Sequence, residues 1–325
     1  MKFPRRQLLH LGAGAVALPV MSRIAGAQSY PTRPVHLIVS VAAGGSPDII
    51  GRLMAQWLSD QLGQPFVVDN RAGAAGNIGT EFVLKAAPDG YTLLLALSAN
   101  AINASLYKDL QFNFIRDAAP IASIATIPLI MEVNPSVLAK TIPEFIAYAK
   151  ANPGKINMAS GGVGSPLHVA GELFKMMAGV DLVHVPYRSE ALALPDLLAG
   201  QVQVLFGVMP ASLGYVRAGK LRALGVTTAK RQELLPDVPA VAEFLPRYEA
   251  NGWYGIVAPR GTPNEPIGRL NKTVNAALAD PTMKRRFVDL GCAVFAGTPA
   301  DFEKFIVDET DKWANVVRFA DIKPQ

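Results

Sequence analysis

Two short segments of this 325-residue chain combine residue types that can hold an anion. Gly44-Gly45-Ser46-Pro47 and Gly164-Ser165-Pro166 each join glycine to a serine placed to cap a helix and a proline suited to its first turn. A helix start carries unpaired N–H groups and partial positive charge, so each segment reads as a place to receive a carboxylate. Ordinary helix capping explains either one alone. The pair, one in each of two units, favours a shared anion site. Nucleotide chemistry is not indicated: G-x-x-x-x-G-K-[ST] is absent, and Gly161-Gly162-Val163-Gly164 does not match G-x-G-x-x-G. Ser165 lacks the G-x-S-x-G setting of a hydrolase nucleophile. His168 lies three positions beyond Ser165 and could face a cleft, although a histidine one turn into a helix more often packs. His184, between Val183 and Val185, reads as a core or rim histidine. No acid–base–nucleophile set emerges, so no catalytic residue is assigned and the chain is not expected to be an enzyme. The four histidines and the single Cys292 show no metal-ligand spacing, so neither metal nor cofactor is expected.

The elements that must position these segments alternate between strand and helix, which predicts an α/β fold with largely parallel sheets. An apolar strand, Val35 to Val41, leads into the first glycine segment, and a helix runs from Ile49 to Leu62. A strand over 65–69, a glycine-rich stretch from Arg71 to Gly79 that opens a helix, and a buried strand over 91–97 complete the first unit. A second unit begins near Ile124. Its expected strands are 127–133, 156–159, 181–185, 202–208 and 223–227, with helices over 142–151, 167–178 and 192–199, the last of them disturbed by Pro195. A strand from Trp253 to Pro259 and three helices opened by Thr262-Pro263, Asp280-Pro281 and Thr298-Pro299 end the chain. These last helices are expected to pack on the first unit. The domains are therefore 28–124 with 252–325, and 125–251. No internal repeat stands out.

Half of the chain is hydrophobic and 18% is charged, which fits a globular protein rather than a disordered one. Its net charge of +5 does not point to nucleic acid. Lys2, Arg5, Arg6 and Arg23 hold four of those charges in a leader without acids, and the remaining residues come within one charge of neutrality. That leader has a basic start, a short apolar run from Leu11 to Met21 and Ala25-Gly26-Ala27, a pattern of export with cleavage after Ala27. Arg5-Arg6 fits a twin-arginine signal as well as an ordinary secretory one. The mature protein is expected in a bacterial periplasm, as a monomer.

The segments Val39 to Asp48, Asn70 to Gly79, Ala87 to Leu93, Ser160 to Glu172, His184 to Tyr187, Ala218 to Leu224, Leu235 to Pro239 and Trp253 to Pro259 resemble, in order, the Bug family of tripartite-tricarboxylate-transporter substrate-binding proteins. The resemblance implies a two-domain, type II periplasmic-binding-protein (Venus flytrap) fold that closes on a small carboxylate, and a membrane permease as partner. It also implies that two glycine-rich loops hold the carboxylate, here Ala42, Ala43, Gly44, Gly45 and Ser46, and Ser160, Gly161, Gly162, Gly164 and Ser165. Ser98 and Asn100 are added after the strand that precedes them.

Three departures bear on the ligand. Ser40 and Val41 stand where members usually have proline and an aromatic ring. Gly207 replaces an aspartate that would face a ligand ammonium. Ser189-Glu190 replaces glycines, and Glu190 could face the cleft and select a donor group, although a solvated acid near a helix start is the commoner case. The expected ligand is an organic acid, with a dicarboxylate or aromatic carboxylate favoured. An orphan receptor feeding a sensor kinase, or a periplasmic enzyme acting on a carboxylate, are the alternatives.

Overall fold

The computed structural model describes residues 30–324; the expected export leader and cleavage after Ala27 lie outside the described residues. In chain order the elements begin with β1 (Val35–Val39), α1 (Ser46–Leu62), β2 (Phe66–Asn70), α2 (Asn77–Leu84), β3 (Thr92–Leu97), α3 (Ser98–Leu106), the short α4 (Phe114–Asp117) and β4 (Ala118–Ile127). After Pro128 come β5 (Leu129–Val133), α5 (Ile142–Ala151), β6 (Asn157–Ser160), α6 (Pro166–Ala178), β7 (Val183–Pro186), α7 (Glu190–Leu198), β8 (Val204–Val208), α8 (Met209–Arg217) and β9 (Arg222–Val226). The chain ends with β10 (Gly252–Pro259), α9 (Asn264–Ala279), α10 (Pro281–Asp289), β11 (Ala293–Val294) and α11 (Pro299–Phe319).

Two sheets form. One has the order β11-β4-β10-β3-β1-β2 and the other β7-β6-β8-β5-β9. Apart from the short edge strand β11, both are built alike. Three parallel strands lie side by side with the first in chain order at their centre, and one antiparallel strand separates them from a fourth. In each sheet that antiparallel strand, β10 or β5, is the one that has just crossed from the other sheet. The two-domain α/β architecture is therefore as expected, but the sheets are mixed rather than largely parallel.

Several elements differ from the sequence expectation for local reasons. The strand expected over 127–133 is broken at Pro128, and the long β4 that precedes it has no counterpart in the sequence expectation. Its sequence, AAPIASIATI, lacks alternation because most of it is buried on both faces. Pro120 is tolerated there because it lies beside a shift in register between β4 and β10. The first helix begins at Ser46 with Gly45 as its N-cap, not with Ser46 as the cap. Likewise α9 begins at Asn264 after Pro263, so Thr262 does not cap it. Ser165, Thr141, Asp280 and Thr298 do cap their helices through the side chain. α3 and α8, both short, gave no periodic signal. The C-terminal helices pack on the first sheet, α9 and α11 against β4. Trp253 is 1% exposed and its ring meets Phe302 and Phe305 edge-on at 5.8 and 5.6 Å. Among the described residues no helix is long and apolar enough to cross a membrane.

Candidate functional site

Parallel strands that lead directly into helices place those helix starts at the carboxyl ends of the sheets, where α/β folds bind ligands. Here five of them meet. A cavity of about 550 Å³ is lined by first-turn residues of α1 (Ser46, Pro47, Ile49), α3 (Ser98, Ala99), α6 (Pro166, Leu167), α7 (Glu190) and α8 (Pro210, Ala211). Both crossing segments close it, through Ile127 and Leu129 on one side and Gly252 and Tyr254 on the other. The lining is mostly apolar. Among the described residues no lysine, arginine or histidine contributes, and the two charged residues are Glu190 and Asp289. An anion here would be held by backbone N–H groups, hydroxyls and helix dipoles rather than by a counter-charge.

Of the residues expected to form the site, the structure brings Ser46, Ser98 and Glu190 to the cavity wall. Ser46 accepts a hydrogen bond at 3.1 Å from the hydroxyl of Tyr254, and burial raises that phenol's pKa, keeping it a neutral donor. Glu190 Oε1 accepts from the Val208 N–H at 2.6 Å. Ala42, Ala43, Gly44 and Gly45 form an exposed loop ahead of α1. Val41 packs into the core beneath it, and its carbonyl accepts from Asn70. Asn100 does not reach the cavity: it is buried, with Oδ1 on the Leu97 N–H and Nδ2 on Thr80 Oγ1. Its amide holds the start of α3 in place. Gly207 lies behind Glu190, not on the wall.

The second loop is held from below. Ser160 is fully buried; its hydroxyl is 2.6 Å from His184 Nε2 and receives the Gly162 N–H at 3.1 Å. Gly161 and Gly162 are half-buried, and Gly164 is buried with φ +73°, a backbone state that favours glycine. Its N–H donates to His168 Nδ1 at 3.1 Å. Ser165 caps α6 by accepting from the His168 N–H at 3.3 Å. His168 therefore faces the loop's underside rather than the cleft. It stacks on His184 at 3.6 Å between ring centres and lies 3.6 Å from Glu172.

Burial, reinforced by His168, lowers the His184 pKa from 6.5 to about 4. The unfolded chain takes up a proton between those values and the folded chain does not, so stability is expected to fall as pH drops from about 6.5 to about 4. Denaturant midpoints across that interval check this. The decline should be shallower in His184→Asn, and an equally steep decline in that variant would contradict the assignment.

Residues missed in the sequence include Tyr254, Leu290 and, most importantly, Asp48. Asp48 is 4% exposed. It accepts from the Gly44 N–H at 2.9 Å, from Arg52 Nε at 3.1 Å and from Asn70 Nδ2 at 3.0 Å. The Arg52 hydrogen bond, then that of Gly44, holds its carboxyl down at about 2. Asp48 thus fixes the first loop. Its place in Gly-Gly-Ser-Pro-Asp, one turn into the helix, was the available signal.

The family model described as tripartite tricarboxylate transporter family receptor matches residues 50–322. The chain belongs to that family. It is similar to the BugT protein of Bordetella pertussis, 37% identical over 95% of this chain and 94% of that one. Among solved structures it resembles R. palustris Rpa4515 with adipate, with a TM-score of 0.78 and 36% identity over 91% of this chain and all of that one. It also resembles MatC from Rhodopseudomonas palustris with bound malate, with a TM-score of 0.74 and 30% identity over 89% of this chain and all of that one. Tripartite tricarboxylate receptors bind solutes, and this member is a solute-binding protein rather than an enzyme. The two sheets with a cleft between them are the family's two-domain periplasmic-binding fold.

Proposed function

We propose that this protein is an exported, periplasmic receptor that captures a small organic carboxylate and delivers it to the membrane subunits of a three-component secondary transporter. The observation that carries this reading is the meeting of five helix starts on one mostly apolar cavity with no cationic side chain in its wall among the described residues. Such a wall suits a carboxylate on an apolar body and offers nothing to perform chemistry on it. The adipate and malate found on related receptors support the same ligand class.

On this reading the domains are 28–124 with 252–325, and 125–251, and the mature protein works as a monomer. Pro128 and the segment between β9 and β10 would serve as hinges, since the chain passes between the sheets at those places. Closure would bring the first-sheet helix starts α1 and α3 toward α6 and α8, and the closed form is what the membrane partner would read.

Thermal unfolding of the mature protein against mono-, di-, tri-, aromatic and amino carboxylates tests the reading. A ligand at about 100 times its dissociation constant adds about 2.7 kcal/mol, a rise of roughly 5 °C for a chain of this size. Ser165→Ala is expected to lower stability by about 1 kcal/mol through the lost cap and to weaken binding several-fold. Affinities of wild type and variant, compared by calorimetry, check the second part. Unchanged affinity in Ser165→Ala and Ser46→Ala alike would remove both loops from the site.

A further inference from the structure

Behind Glu190 lies a second acid that the carboxylate reading leaves without a role. Glu132, the fourth of the five residues of β5, is 0% exposed. Its Oε1 accepts from the Ser212 hydroxyl at 2.6 Å, and its Oε2 is buried without a hydrogen-bond partner among the described residues. An unpartnered carboxyl oxygen in a buried position is costly, so the arrangement calls for an explanation. Gly207 makes the arrangement possible. A methyl group there would lie 2.5 Å from Glu132 Oε1, 2.6 Å from Ser212 Oγ and 2.9 Å from Glu190 Oε1. The two carboxyl groups therefore share the space that Gly207 leaves open. Glu190 stands on the cavity side, held by Val208, and Glu132 stands behind it.

Among the described residues the surroundings offer the pair no compensating charge. β5 contributes Glu132, α8 contributes the Ser212 hydroxyl, β10 contributes the Tyr254 phenol to the wall, and α10 contributes Asp289. Lysine, arginine and histidine are absent from the lining among the described residues. Burial raises Glu190 to about 7. Burial also raises Glu132 to about 8, with the charge of Glu190 adding to the rise even as the Ser212 hydrogen bond opposes it. An empty cleft thus keeps protons on the pair near neutral pH, and a cation would release them.

We propose that Glu190, backed by Glu132, recognises a cationic nitrogen, so that the ligand is a carboxylate carrying an ammonium group across an apolar spacer. This deepens the function proposed above and rests on it. The carboxylate is received at helix starts, and the nitrogen reaches the wall at Glu190. A dicarboxylate of the same length would place its second charge against an acid. It could enter only as the pair takes up protons.

The two ligand types consequently have opposite pH dependence. An ammonium favours the ionised pair, so its binding strengthens as pH rises through about 6 to 8.5 while the amine stays charged. Dicarboxylate binding weakens over the same interval.

Calorimetry on the mature protein tests this with matched sets: ω-amino carboxylates of two to six carbons, the dicarboxylates of equal length, and the plain monocarboxylates. The expected result is that at least one amino carboxylate binds tenfold or more tightly than its dicarboxylate partner at about pH 8.5, with the gap narrowing at about pH 6. Glu190→Gln should abolish most of that preference. Tighter dicarboxylate binding at both pH values, or a preference unchanged in Glu190→Gln, overturns the inference and leaves the carboxylate receptor standing. A panel in which nothing binds overturns both. The pH dependence in wild type decides the matter even if the variant does not fold.

Discussion

Replacing Asp48 with alanine is expected to lower stability by about 2–4 kcal/mol and to cost tenfold or more in ligand affinity. The carboxylate is buried and receives Gly44, Arg52 and Asn70 together. Removing it leaves the Gly44 N–H without its acceptor and the Asn70 amide with the Val41 carbonyl alone, and it frees the loop that leads into α1. Asp48→Asn should recover part of the stability, because an amide oxygen can still accept one or two of these bonds. The pH dependence has a defined sign. The folded carboxyl titrates at about 2, below its ordinary value of 3.8, so its contribution is present above about 3.8 and is lost as pH falls toward 2. Denaturant unfolding at neutral and acid pH measures the stability, and calorimetry with the ligand found in the carboxylate panel measures the affinity. An Asp48→Ala protein as stable and as tight-binding as wild type would show that the loop is held by its own backbone.

The largest loss of stability is expected from Trp253→Ala, about 3–5 kcal/mol, or roughly 6–10 °C in melting temperature. The indole lies on β10, just after the chain has crossed between the sheets. It donates to Glu309 at 3.1 Å, and the same carboxylate also receives Trp313 at 3.0 Å and Lys312. Truncation opens a cavity beside Phe302 and Phe305 and removes one of the donors to a buried acid. Trp253→Phe should restore much of the packing but not the donor, so an intermediate midpoint is expected. Equal midpoints for wild type and Trp253→Ala would mean that α11 collapses onto the space without cost. Ligand affinity, measured well below the melting temperature, should change far less than it does for Asp48→Ala. Trp253 supports the wall without lining it.

The amino-acid sequence by itself determined the local features. Ser165-Pro166, Asp280-Pro281 and Thr298-Pro299 start helices because the cap and the group it binds lie three residues apart, a distance that tertiary context hardly alters. The apolar runs that became β1, β3 and β10 were likewise readable from burial alone, as were the glycine loops and, through the family resemblance, the two-domain fold. What only the tertiary structure decided was which of these distant pieces meet. The two sheets share one strand order although no repeat is visible in the chain, because many apolar sequences can fill the same buried strand positions. β4 is not legible in the sequence because small residues buried on both faces carry no period. The resemblance implies Asn100 as a ligand contact and leaves His168 able to face the cleft, yet packing turns polar atoms of both toward the backbone of their own helix start and loop. Ser46 meets Tyr254 across 208 residues, and Glu132 meets Glu190 only because β5 and β8 are neighbours and Gly207 has no side chain. Such pairings depend on sheet register, which is set by the chain as a whole.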